Sequence, residues 1–105
     1  FSGVVEEVDE GDEIAKALGN KKVAILQNHG ILTTGPSVDI ALWFYMSMER
    51  CCQAQLMAEA AGKPVVIPHD TAIKTREFIA NDIAAWASYQ PAFDKIIKMQ
   101  PDLLD

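Results

Sequence analysis

Two histidines, two cysteines and a turn make up most of what could do chemistry in this chain. His29 lies in "QNHGILTTG", Gln27 to Gly35, where the polar triplet Asn28-His29-Gly30 separates the apolar runs "VAIL" and "ILTT". A turn between two strands needs only a pair such as Asn-Gly. The histidine is therefore either part of the turn or an imidazole offered to a metal. His69 stands beside Pro68 and reads as a surface loop residue. Cys51 and Cys52 are adjacent on a helical stretch, so their side chains diverge, and they read as reduced, partly buried thiols. Met46, Met48 and Met57 read as core filler.

The elements that must position these groups follow from periodicity. "FSGVV" at the start is a short extended candidate. A helix is predicted from about Asp9 to Leu18, with acidic residues at its start, Lys16 near its end and Gly19-Asn20 as the stop. Residues 23–27 and 31–35 are predicted as an antiparallel hairpin, with Gly30 at a positive φ in the turn. The first strand is almost continuously apolar, which predicts cover on both faces. Residues 37–61 are predicted as one long helix, capped by Ser37 and ended by Gly62. Val38, Ala41, Leu42, Tyr45, Met48, Cys52 and Leu56 give it one apolar stripe, and Ile40, Trp43 and Phe44 add a second. "KPVVIP" is an extended segment, an edge or a covering strap. A further helix is predicted after it with Asp70 or Thr71 as cap. The last stretch is predicted helical with a break at Pro91.

The bulk numbers set limits. The 105 residues allow one domain with a modest core, and half of them are hydrophobic. The formal charge is −6 with no basic run, which argues against nucleic acid or an anionic membrane surface as partner. No apolar run approaches the ~20 residues that span a bilayer. With no secretory signal and no disulfide framework, a cytoplasmic location is expected. The chain opens on Phe1 rather than methionine, so part of a longer protein is expected. Size points the same way. A helix over 37–61 would be ~37 Å long, whereas a compact domain of this length is roughly 33 Å across. Two strands make no stable sheet alone. The expectation is half of a larger α/β layer structure, or a chain that shares its core with a partner.

At this point the residues resemble a family. "VAILQNHGILTTGPSVDIALWFYMSMERCCQAQLMAEAAG" is similar to the C-terminal half of class II aldolase/adducin proteins. The shared pattern is an apolar strand, Asn28-His29-Gly30, a second strand ending in Gly35, then the helix from Ser37. "GVVEEVDEGDEIAKALGNKK" and the tail "YQPAFDKIIKMQPDLLD" resemble fungal-type members. The resemblance implies an α/β fold: the C-terminal portion of a three-layer α/β/α class II aldolase-like fold, with an antiparallel hairpin and a long helix. Residues 1–62 would be the aldolase/adducin-like half, and residues 63–105 a C-terminal extended segment and helical tail.

The resemblance also implies chemistry. His29 would be the third ligand of a catalytic divalent metal, usually zinc, and only together with an upstream His-x-His pair. Asn28, Gly30 and Gly35 would be structural turn residues. The metal would stabilise the enediolate formed when a carbon–carbon bond of a small sugar phosphate breaks. The family's other two ligands, its catalytic glutamate and its phosphate-binding loops lie in the earlier half, and none is in this sequence. The chain alone is thus expected to carry no catalytic residue, to hold no zinc and to be inactive. Its partners would be further copies of itself or the missing N-terminal half. The alternative the resemblance implies is a non-catalytic adducin-like scaffold that binds the actin cytoskeleton.

Overall fold

The hairpin and the long helix form one unit. A computed structural model describes residues 8–104, with side chains from residue 11 onward. The extended segment expected at "FSGVV" lies outside these residues. Helix α1 runs Val8–Leu18. It ends where Gly19 takes a φ of +55° and donates its N–H to the Ala15 carbonyl at 2.9 Å, the left-handed cap that glycine adopts without penalty. Strands β1, Val23–Leu26, and β2, Gly30–Thr33, then pair antiparallel, Val23 opposite Thr33 and Leu26 opposite Gly30. The Thr34 N–H donates to the Lys22 carbonyl at 2.9 Å and closes the foot of the hairpin.

The turn differs from expectation. Gly30 is the first residue of β2, has no positive φ, and has open space where a Cβ would sit. The left-handed residue is Asn28, at φ +57°. Asparagine tolerates that region because its short side chain can bond locally. Cover on both faces of β1 is not found among the described residues either. Ile25 is 64 % exposed, because two strands offer one face to a helix and leave the other open.

Helix α2 spans Val38–Ala61, between the predicted caps. The Ser37 hydroxyl accepts from the Ile40 N–H at 3.4 Å, and the Gly62 N–H donates to the Ala58 carbonyl. The hairpin docks on the first turns of α2. The Thr33 hydroxyl donates to the Ala41 carbonyl at 2.9 Å. Gly35 lets the two elements meet, since a Cβ there would lie 2.9 Å from Ile40 Cγ2 and 3.0 Å from the Ala41 nitrogen. Gly35→Ala should therefore cost about 1–3 kcal/mol, the range for overpacking. A urea titration checks this.

Helix α3, His69–Ile79, begins before both predicted caps, one residue ahead of Asp70 and two ahead of Thr71. Pro68, with φ −54°, precedes it, and the Ala72 N–H donates to the Pro68 carbonyl at 3.0 Å. Proline needs no donor at a helix start and its fixed φ is already helical. His69 is thus the first residue of a helix, not a loop residue. Among the described residues the segment 63–68 before it pairs with no strand and covers nothing, and Val65 and Val66 are 96 % and 86 % exposed. Met57 is likewise exposed rather than core filler, while Met46 and Met48 are half-buried.

Helix α4, Asp82–Met99, is capped by Asn81, whose side-chain oxygen accepts from the Ala84 N–H at 2.9 Å. It runs through Pro91 without the predicted break. Proline forfeits the bond its own nitrogen would have given to the preceding turn. Packing offsets this. Gln90 donates to the Asp39 carboxylate of α2 at 3.3 Å, and Tyr89, Ala92 and Phe93 are half-buried around the proline. A short 3-10 turn, Pro101–Leu104, follows.

The core is small. Among the described residues Ile40, Phe44 and Ala85 are buried, with Val23, Trp43 and Ala80 packed against them. It thus draws on the hairpin, on α2 and on α4. Lys22 ties the three together. Its ammonium donates to the Ala80 carbonyl at 2.9 Å and to the Asp82 carboxylate at 2.6 Å, and lies 4.7 Å from the Phe44 ring centroid. Both ion-pair partners are partly solvated, so screening trims the Coulomb share. Lys22→Met should cost about 1–2 kcal/mol from the carbonyl bond and the cation–π contact together. The loss should shrink only slightly in high salt. Chemical denaturation at two ionic strengths measures both.

The resulting body is open. Its radius of gyration is 16.5 Å, against ~13 Å for a compact chain of this length. It exposes 8580 Å², where a compact monomer of this mass exposes about 5,800 Å².

Candidate functional site

The tip of the hairpin gathers Asn28, His29 and Gly30. Its geometry comes from the backbone. The His29 N–H donates to the Leu26 carbonyl at 3.0 Å, and the left-handed Asn28 reverses the chain between them. All three residues are exposed. The foot of the hairpin is held by Lys22, Thr33 and Gly35, roughly 13 Å away at ~3.3 Å per strand residue. An imidazole at the far end of a strand pair anchored this way has a defined position and open access. That suits a ligand or proton-transfer group shared with another surface.

The other candidates lie elsewhere. Gly35 is at the foot, against Ile40 and Ala41. His69 opens α3 and is exposed. Cys51 is exposed and Cys52 half-buried, both as free thiols on α2. The described residues hold no group of three His, Cys, Asp or Glu side chains able to bind one metal ion. One imidazole makes one bond where a catalytic zinc takes three. These residues therefore do not fit a catalytic metal by themselves. No helix among the described residues is long and apolar enough to cross a membrane.

Sequence reasoning missed Lys22 and its partner Asp82, which set where the hairpin stands on the helices. They are 60 residues apart. The only local signal was a lysine pair directly before a strand, and nothing in that names a partner.

A hairpin with Asn-His-Gly at its tip, seated through a glycine on a long capped helix, is an aldolase-like α/β arrangement. The pattern of the Class II Aldolase and Adducin N-terminal domain matches residues 3–56. The chain belongs to the class II aldolase and adducin family. It superposes on the L-fuculose 1-phosphate aldolase of Glaciozyma antarctica PI12 with a TM-score of 0.85 and 38 % identity, over 91 % of this chain and 39 % of that one. It is 40 % identical over 103 residues to Decarboxylase NovR of Streptomyces niveus, covering 98 % of this chain and 38 % of that protein. Over the same length it is 37 % identical to the 4-hydroxy-3-prenylphenylpyruvate oxygenase/4-hydroxy-3-prenylbenzoate synthase of Streptomyces roseochromogenus subsp. oscitans, covering 98 % and 37 %. The chain thus spans about two fifths of the length of these relatives. Class II aldolases commonly use a divalent metal and commonly form oligomers.

Proposed function

We propose that this chain is the hairpin-and-helix portion of a metal-dependent, class II aldolase-like lyase that breaks a carbon–carbon bond in a small sugar phosphate. The observation that carries the reading is the exposed imidazole of His29 on a hairpin anchored at its foot, in a chain that superposes closely on a sugar-phosphate aldolase. In this reading His29 is one of the metal's ligands, and the rest come from residues beyond the 105. The chain by itself is then inactive. The names of two of its relatives agree on the bond: an aldolase and a decarboxylase both cleave carbon–carbon bonds.

A second substrate class is favoured by one observation. The two Streptomyces relatives match over 98 % of the chain, and the name of one carries an arylpyruvate. The test is to measure metal content and carbon–carbon cleavage in a protein that joins this chain to an upstream half of the relatives' length. We expect about one divalent metal per subunit and aldehyde release from a ketose 1-phosphate. Carbon dioxide release from an arylpyruvate with uptake of dioxygen instead would replace the lyase reading by an oxygenase reading. A metal-free protein inert on both would overturn the proposal.

A further inference from the structure

The hairpin stands on two feet, and they rest on different elements. The foot of β2 is seated on α2. The Thr33 hydroxyl donates to the Ala41 carbonyl at 2.9 Å, and Gly35 lies against Ile40 and Ala41. The foot of β1 is held by Lys22. Its backbone carbonyl accepts from the Thr34 N–H and so belongs to the hairpin, while its side chain reaches across to the joint between α3 and α4. There the ammonium donates to the Ala80 carbonyl and to the Asp82 carboxylate. A cation suits the last carbonyls of α3, where the helix dipole is negative. The joint is a firm anchor, because Asn81 ties both helices. Its side-chain amide donates to the Phe78 carbonyl at 2.8 Å, and its side-chain oxygen accepts from the Ala84 N–H at 2.9 Å.

The second foot matters most at the tip. One anchor leaves a strand pair free to tilt about it, and an anchor on each strand removes that freedom. Neighbouring strands lie ~4.8 Å apart, and the tip is roughly 13 Å from the feet. A shift of ~1 Å at the foot of β1 is therefore magnified to about 2.7 Å at His29. A reacting group has to be held within ~0.5 Å. Packing does not replace the clamp. Val23 rests on the core, but beside it a cleft of about 560 Å³ opens between residues 20–23 and the α3–α4 joint, and Lys22 bridges it. Ala80 and Asp82 also lie beyond residues 3–56, which the family pattern matches. The clamp thus connects the Asn-His-Gly hairpin to a part of the chain that the pattern does not reach.

We propose that Lys22 is a positioning residue for His29: its grip on Ala80 and Asp82 fixes the tilt of the hairpin and so the place of the imidazole. The effect on catalysis rests on the lyase reading, and the tilt does not. Residual dipolar couplings on the 105-residue chain compare the orientation of the hairpin with that of α2. Lys22→Met should turn the hairpin by about ten degrees or more, the angle of a ~1 Å shift across one strand spacing. Lys22→Arg, which keeps a cation of similar reach, should hold the native tilt. Lys21→Met, one residue away and exposed, should leave it unchanged. Asp82→Ala is the milder second variant, since Lys22 keeps its carbonyl bond and the Phe44 ring, and it should turn the hairpin in the same direction. In the protein joined to its upstream half, kcat should fall about tenfold or more in Lys22→Met, as misplacement of a reacting group by an ångström can cost more still. KM should change far less, and Lys22→Arg should keep kcat. A clamp that only adds stability would leave both the tilt and the kcat of the folded molecules as they are. An unchanged tilt in Lys22→Met and Asp82→Ala therefore overturns the proposal, and so does a changed tilt with an unchanged kcat. A joined protein without cleavage activity even with Lys22 in place would overturn the lyase reading instead, and the tilt alone would then decide whether Lys22 positions the tip.

Discussion

Phe44→Ala should leave much of the chain unfolded without any denaturant. Phe44 is one of three buried residues among those described, and its ring is packed with Ile40, Ala85 and Trp43 beneath the Lys22 ammonium. Truncating a buried phenylalanine costs about 3–5 kcal/mol through lost transfer energy and the cavity left behind. Domains are stable by ~5–15 kcal/mol in total, and so small a core sets this one at the low end. The hole cannot be closed cheaply, because the hairpin foot, α2 and α4 all meet there. Lys22 would also lose the aromatic face under its charge. Urea unfolding followed by circular dichroism, at one fixed protein concentration so that any self-association contributes equally, measures the loss. A shift below 1 kcal/mol would mean that the core has been wrongly located.

His29→Ala should do the opposite: no loss of fold and a large loss of function. The side chain is exposed, and the bond that shapes the turn comes from its backbone N–H, which alanine keeps. The left-handed position belongs to Asn28. The urea midpoint should move little compared with that of Phe44→Ala, since His29 lies outside the buried cluster. In the protein joined to its upstream half, metal affinity should fall at least ~100-fold, since the loss of mere supporting partners already costs 10–100-fold, and cleavage activity should fall with it. Asn28→Ala is the contrasting variant. It places a Cβ-bearing residue without a bonding side chain at φ +57° and should cost about 1–2 kcal/mol of hairpin stability. Metal content, activity and stability measured on both variants separate a turn from a ligand. If His29→Ala destabilises the fold and leaves metal and activity unchanged, His29 is only part of the turn.

How much of this could be read without coordinates depended on how local the cause was. The limits of α2 were legible because both of its caps are short-range events: the Ser37 hydroxyl reaches Ile40, and Gly62 closes on Ala58. The hairpin was legible because two apolar runs flank a short polar one. The class II aldolase and adducin family was legible from that hairpin with its trailing glycine and helix, all within residues that are neighbours in the chain. The conformation inside the turn was not. Asparagine and glycine both accept a left-handed φ, and the strand register decides which of them takes it.

Where the cause was tertiary, the sequence misled or was silent. A proline in a helical pattern signals a break, yet α4 continues through Pro91 because Gln90 and its half-buried neighbours hold the turns on either side against α2. Lys22 is one of two lysines before β1, and only folding brings it to Ala80, Asp82 and the Phe44 ring. Composition and periodicity alone determined that this is a α/β chain with a histidine at a hairpin tip and more apolar surface than it can bury. Which of that surface is buried, which anchors the hairpin and which is left for a partner was decided by the packing of α2 against α4. Those contacts join residues some 40 or more positions apart, and no local propensity records them.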